Sequence, residues 1–460
     1  MRSSTDGDHA FLDRLMVGLL LFFVAAGFLV LVFKAPLPAR LQVGDSSVVY
    51  YSNGLPAHVF LADDDRWRIA VAADEVDPAY VEALLRFEDK RFHEHHGVDV
   101  LAVVRAAWLN LSSGRRMSGA STITMQLVRM LEPRPRTYWS KAVEALRAFQ
   151  IESRMSKAEI LSAYLTYAPY GRNLEGIEAA SFAYFGHSAA ELAPSEIATL
   201  LAVPQNPNSR YPSPTNAARL RAARDEIAQW LLDEGALPLG PPDAQVAPDE
   251  VMRMVALTDP PSALRPFPRE MPHVAYWLRG QRARRARFET TIDPGLQLVV
   301  ERVVAAHRER AWRDGIDSAA VVVIDNDTGD VRALVGNFDF FAERPGAQIA
   351  AFDVARSPGS LLKPLIFAMG VDRGLAHPSH LVLDVPQTFG QYTPNNYDGR
   401  YRGLVRLDEA LELVDGLALG AQRDREPGDL GGSRLAAEDL PHRPRGLVGA
   451  EVGARHEGGE

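Results

Sequence analysis

Three polar segments of the 460-residue sequence have residue types that could do chemistry. The first is Glu88-Asp89-Lys90-Arg91-Phe92-His93-Glu94-His95-His96-Gly97. Its glutamate closes an apolar helix, and a polar loop then runs to a glycine. A carboxylate placed there, beside apolar residues and away from a helix N-terminus, suits a general base or acid. The plain alternative is a solvated charged loop. His93, His95 and His96 lack the i, i+4 spacing of a helical zinc site, so a histidine metal site is not expected. The second segment is Gly119 to Arg129, GASTITMQLVR. Ser121 and Thr122 open a helix there, and free N–H groups and hydroxyls at such a start can hold an anion or sugar hydroxyls. The alternative is an ordinary helix cap. Gln126 and Arg129, at i and i+3, share a face. In the third segment Lys141, Glu144, Ala148 and Glu152 form one helical stripe. Most such stripes are solvated and salt-bridged.

A fourth candidate lies far downstream. Ser360-Leu361-Leu362-Lys363 places a hydroxyl and an amine at i and i+3, so the amine can take the hydroxyl's proton if it is neutral or shared.

These residues need elements to hold them. Asp77-Pro78 is a cap and first-turn pair for a helix to about Phe87. Further helical runs follow Asp99, cover 121–131 and cover 137–154, and Ser156 with Glu159 forms a capping box for another. Residues 194–202 and 215–233 read as helices, and 234–288 as a proline-, alanine- and arginine-rich connector. Near Thr290 the grammar changes: 319–325 is a buried-type strand, 326–329 a turn and 330–336 a second strand. A helical domain is thus followed by the start of an α/β domain.

Composition narrows the function. A net charge of −9 gives no electrostatic case for nucleic acid binding. No cysteine is present, which excludes disulfides, thiolate metal sites and a cysteine nucleophile. Leu15 to Phe33 is 19 residues without a charge, roughly 28 Å as a helix and close to a bilayer core. It reads as a single uncleaved transmembrane helix after a short tail over residues 1–14.

Taken in order, the motifs EDxxFxxHxG, GxSTxTxQ, KxxExxxAxxxE and ILxxYL resemble the family 51 glycosyltransferases, the N-terminal catalytic half of class A penicillin-binding proteins. The run Ala168-Pro-Tyr-Gly-Arg-Asn-Leu-Glu-Gly176, with YFGHSAAEL and LLAVPQNPN, looks like the 1C subtype. The resemblance implies a multidomain chain: a transmembrane helix, a mainly-α lysozyme-like glycosyltransferase domain over 50–215, a connector over 216–289, and a penicillin-binding, serine beta-lactamase-like α/β transpeptidase domain beginning at 290. It implies lipid II and a lipid-linked glycan strand as substrates, polymerised with inversion and release of undecaprenyl pyrophosphate.

By the same resemblance Glu88 is the catalytic base. Glu144 is the second carboxylate, near the pyrophosphate and acting with magnesium or manganese. Arg129 and Lys141 clamp the diphosphate. Asp89, Phe92, His95, Ser121, Thr122 and Gln126 belong to the substrate-binding motifs. Ser360 is the acylated nucleophile and Lys363 its base. The N-terminus would be cytoplasmic and the catalytic domains periplasmic on the bacterial inner membrane, with cell-wall synthesis proteins as possible partners.

The sequence departs from the family in places. Ser140 stands where an arginine usually precedes Lys141, and Thr166 where an asparagine usually follows Tyr164-Leu165. Neither Ser-x-Asn nor Lys-Thr-Gly follows Lys363. Residues 414–460 lack Phe, Tyr, Trp, Ile, Met, Asn, Lys and Thr. That suggests a frame-shifted, disordered tail and an incomplete, inactive transpeptidase domain. Two competing functions are a non-catalytic membrane scaffold or pseudogene-like product, and a lysozyme-like glycan hydrolase.

Overall fold

The computed structural model describes residues 15–24, 26–27, 30, 34, 36–105, 121–237, 246–282, 285–396 and 398–411. Residues 1–14 and 414–460 lie outside the described set. Residues 15–24 are helical, with exposed apolar side chains such as Leu20, Phe22 and Phe23. Several residues up to Phe33 lie outside the described set. Among the described residues no helix is long and apolar enough to cross a membrane.

The chain packs as two units divided near Ala351. The first is built mainly from helices. Helix α1 (Pro78–Glu88) starts as its sequence requires: Asp77 accepts the Ala79 N–H and proline occupies the first turn. Helix α2 (Ile123–Leu131) is capped by Thr122, whose hydroxyl accepts the Met125 N–H at 3.1 Å. Helix α3 (Tyr138–Glu152) is capped by Thr137. Helix α4 (Lys157–Tyr167) opens with the Ser156/Glu159 capping box. Helices α5 (Ile177–Tyr184), α6 (Pro194–Gln205) and α7 (Ala217–Asp233) complete the bundle.

One hydrophobic core joins these helices, with Leu84, Ile123, Leu127, Ile151, Ile160, Leu165, Leu200 and Leu231 all essentially buried. Helix α7 lies along α6 and contributes Leu220, Ile227 and Leu231 to that core. Residues 217–233, read as a helix but placed within the 216–289 connector by the domain division, therefore pack with the helical body. Charged residues on their outer face masked the buried stripe. Helix α8 (Pro248–Leu257) adds Val251 and Val255.

Strands clamp the start of this body to later sequence. Strand β1 (Val48–Tyr50) pairs antiparallel with β2 (Pro56–Val59), Val48 facing Val59. Strand β3 (Trp67–Arg68) pairs parallel with β4 (Leu174–Glu175). Strand β5 (Arg287–Glu289) joins the other edge of β1 in parallel, Val49 facing Phe288. Helices α9 (Pro272–Gln281) and α10 (Pro294–Arg313) then lead to the hairpin of β6 (Val321–Ile324) and β7 (Val331–Val335).

The segment before β1 is stitched down. The Pro36 carbonyl accepts from Arg147 at 3.0 Å and Gln150 at 3.1 Å on α3. Arg40 donates to the Met130 carbonyl at 2.7 Å and to Glu175 at 2.6 Å. Arg68, fully buried, bonds Asp45, Asp64 and Glu175.

The second unit holds helix α11 (Lys363–Asp372) and the antiparallel pair β8 (Leu381–Asp384) and β9 (Gly403–Arg406). No residue of α11 is buried.

Candidate active site

Glu88 ends α1, and its side chain is half-buried. Gln126 on α2 donates its amide N–H to Glu88 Oε2 at 2.7 Å. One lone pair of that oxygen is thus engaged. Among the described residues no other hydrogen bond or ion pair holds the carboxylate, which leaves it acceptor capacity for a proton.

The next residue has a different job. Asp89 is buried and accepts the Ile123 backbone N–H at 3.0 Å. Both its oxygens also lie 3.0 Å from His95 Nε2. The Gly97 N–H donates to His95 Nδ1 at 3.2 Å, so in the neutral ring Nε2 carries the proton and donates to Asp89. Asp89 and His95 therefore tie the loop to the start of α2. Thr122 adds a bond to the Gly97 carbonyl at 2.6 Å. Phe92 is sealed in the core at 1% exposure, with the Lys157 amine 4.4 Å from its ring centre. The geometry gives Asp89, Phe92, His95 and Thr122 the work of shaping the loop; the sequence had grouped them with substrate binding.

Gly97 must be glycine. Its φ is +92°, and an added Cβ would come within 2.7 Å of the Ala148 carbonyl carbon on α3. The loop and α3 touch backbone to side-chain-free backbone at that point.

The third-segment stripe faces inward. Glu144 and Ala148 are buried, and the side chain of Glu152 is 5% exposed. Glu152 is neutralised: Thr124 and Lys157 each donate to its Oε1 at 2.7 Å. Lys141 reaches the Ser121 hydroxyl, joining the second and third segments. Glu144 differs. It is 6% exposed, and among the described residues no hydrogen bond or ion pair satisfies it. Half-buried Arg129 likewise has no partner among the described residues. A buried carboxylate and a guanidinium without such partners are groups a bound ligand can complete. Glu144 is a hard oxygen donor that suits magnesium or manganese as one ligand. Among the described residues no cluster of three or more acidic, histidine or cysteine side chains gathers to bind a metal alone. A cation here would draw its remaining ligands from phosphate oxygens and water.

Both sequence departures are accommodated. Ser140 is buried and shares a 2.9 Å hydroxyl contact with the cap residue Thr137. Thr166 is buried, and its hydroxyl accepts from the Val71 N–H at 3.4 Å.

Ser360 and Lys363 are not assembled into a dyad. Ser360 sits in a short 3-10 turn, Gly359–Leu362, and Lys363 begins α11. Both side chains are exposed, and the bond between the residues is the Lys363 N–H to the Ser360 carbonyl. The expected desolvated amine is absent because nothing among the described residues of this unit covers α11.

Residues 54–231 match the transglycosylase family model, and 319–413 match the penicillin binding protein transpeptidase domain. The chain is 35% identical to penicillin-binding protein 1C of Escherichia coli (strain K12), over 82% of this chain and 47% of that one. It is 30% identical to penicillin-binding protein 1F of Bacillus subtilis (strain 168), over 75% of this chain and 48% of the relative. It is also 30% identical to penicillin-binding protein 1B of Vibrio cholerae, over 84% and 52%. A transglycosylase domain is thus followed by a transpeptidase-family segment. The chain belongs to the class A penicillin-binding proteins, of the 1C type. It spans about half the length of the curated relatives it matches.

Proposed function

We propose that this chain is a peptidoglycan glycosyltransferase that polymerises lipid II. The acceptor sugar's 4-hydroxyl attacks the anomeric carbon of the lipid-linked glycan. The C–O bond to undecaprenyl pyrophosphate breaks, and the configuration inverts. Glu88 takes the proton of the attacking hydroxyl, oriented by Gln126. Arg129 and Lys141 stabilise the charge that develops on the leaving diphosphate. Glu144 would hold magnesium or manganese against the same diphosphate, and the ion supplies positive charge there.

The observation that carries this reading is the contrast among the charged groups. The protein satisfies Asp89 and Glu152 internally, whereas Glu144 and Arg129 have no partner among the described residues. Those are the two charges a diphosphate and its cation would complete. A hydrolase of soluble glycan has no use for a diphosphate clamp. The apolar segment 15–33 supports a single membrane anchor, with the catalytic domain on the periplasmic side where a polyprenyl substrate presents its head group. Cross-linking by Ser360 is not part of this proposal, because its amine partner is exposed and unlinked.

The test is lipid II polymerisation by the full chain with magnesium or manganese, wild type beside Glu88→Gln. Glycan made by the wild type and lost in the variant supports the reading. A folded wild type that makes none sinks it and leaves a scaffold.

A further inference from the structure

Tyr164 on α4 is 2% exposed, yet among the described residues no group bonds its hydroxyl. Its neighbours in the helical body are satisfied. Tyr80 and Tyr170 share a hydroxyl–hydroxyl bond of 3.1 Å. Tyr184 donates to the Tyr170 carbonyl at 2.6 Å, and Tyr167 to the Arg40 carbonyl at 2.9 Å. The Tyr164 oxygen is not sealed either: unlike the orphan hydroxyl of Ser181, it keeps some access to solvent. Helix α4 packs on α2, which carries Gln126 and Arg129. Burial first, and then the charge of Glu88, hold the Tyr164 phenol well above its usual range, while Arg129 opposes them. The group is thus a protonated donor whose surroundings include both the base and the guanidinium.

Phenylalanine would fill the same buried position, so the Tyr164 hydroxyl adds nothing to the packing of the fold. Local rules broken without a structural gain point to function. We propose that Tyr164 is a substrate-contacting residue of the glycosyltransferase site, its O–H donating to an oxygen of the lipid-linked sugar diphosphate between Glu88 and Arg129. This rests on the glycosyltransferase reading above. No bond to Tyr164 forms or breaks; the proton of the attacking hydroxyl still goes to Glu88.

The experiment compares Tyr164→Phe with Tyr80→Phe in the full chain, measuring lipid II polymerisation and thermal unfolding beside wild type. Tyr164→Phe is expected to melt at or above the wild-type temperature and to lose about 10- to 100-fold in kcat/KM. Tyr80→Phe strands the Tyr170 hydroxyl, so it is expected to melt lower while activity per folded molecule stays within about threefold. Wild-type activity in Tyr164→Phe overturns the inference. So does an activity loss that tracks a lower melting temperature, which marks a packing role. An inactive wild type removes the glycosyltransferase reading itself, and this inference with it.

Discussion

Replacing Gly97 by alanine tests whether the catalytic loop is positioned by contact with α3. Two costs can be worked out. A left-handed backbone, here φ +92°, disfavours any residue with a Cβ by about 1–2 kcal/mol. The new Cβ would also lie 2.7 Å from Ala148 C, 2.8 Å from Ala148 O and 3.0 Å from Phe149 N. Those atoms are helix backbone and cannot swing away, so overpacking adds about 1–3 kcal/mol. The sum is about 2–5 kcal/mol, a large share of a typical 5–15 kcal/mol folding free energy. At roughly 2–4 °C per kcal/mol, unfolding of the helical body should drop by about 4–20 °C. Gly54→Ala is the internal control: φ is +80°, but no atom lies within 4 Å of its added Cβ. It should show the backbone cost alone. Thermal unfolding followed by circular dichroism reads both. Relaxation of the clash by shifting the loop would move Glu88, Asp89 and His95 together, so activity should fall in Gly97→Ala even well below its melting temperature. Equal melting temperatures for the two variants would show that the close approach to α3 is not a constraint, and the argument would fail.

Gln126→Ala removes the 2.7 Å bond that orients Glu88; polymerisation should fall about 10- to 100-fold with little change in melting temperature, because the bond is to a half-exposed charge. Arg68→Met should destabilise the helical body by about 1–3 kcal/mol, measured by denaturant titration, since it removes the buried cation that bonds Asp45, Asp64 and Glu175 and leaves Glu175 to Arg40 and Arg66. Stability should also fall on acidification. Burial pushes His58 and His273 below their ordinary 6.5, so the unfolded chain binds more protons as pH drops through that value. The protection they give is complete above 6.5 and is lost towards their lowered folded values. The double variant His58→Gln, His273→Gln should flatten the melting temperature between pH 7.5 and 5.5 (roughly the titration range of histidine), and an unchanged slope would count against that cause.

Much of the helical body was legible in the chain. Asp77-Pro78, Thr137 and the Ser156/Glu159 box marked helix starts that the structure reproduces, because capping is a local interaction of neighbouring residues. The extent of the body was less legible. Helix α7 was legible as a helix but fell within the 216–289 connector, and its buried face is visible only against α6. Pairing of β5 with β1 joins residues more than 200 apart and has no local signal. The fastening of the segment before β1 likewise has no local signal: Arg40 and the Pro36 carbonyl tie it to three separate elements.

The sequence alone determined which residue types stand where: the carboxylates at 88 and 144, the cations at 129 and 141, and the caps that start the helices around them. Only the tertiary structure decided what each charge does. Asp89 and Glu152 turned out to be satisfied by Ile123, His95, Thr124 and Lys157, while Glu144, Arg129 and Tyr164 have no side-chain partner among the described residues. The physical reason is that a helix fixes its own caps and periodicity, whereas desolvation and pairing depend on which other helix lands against each face.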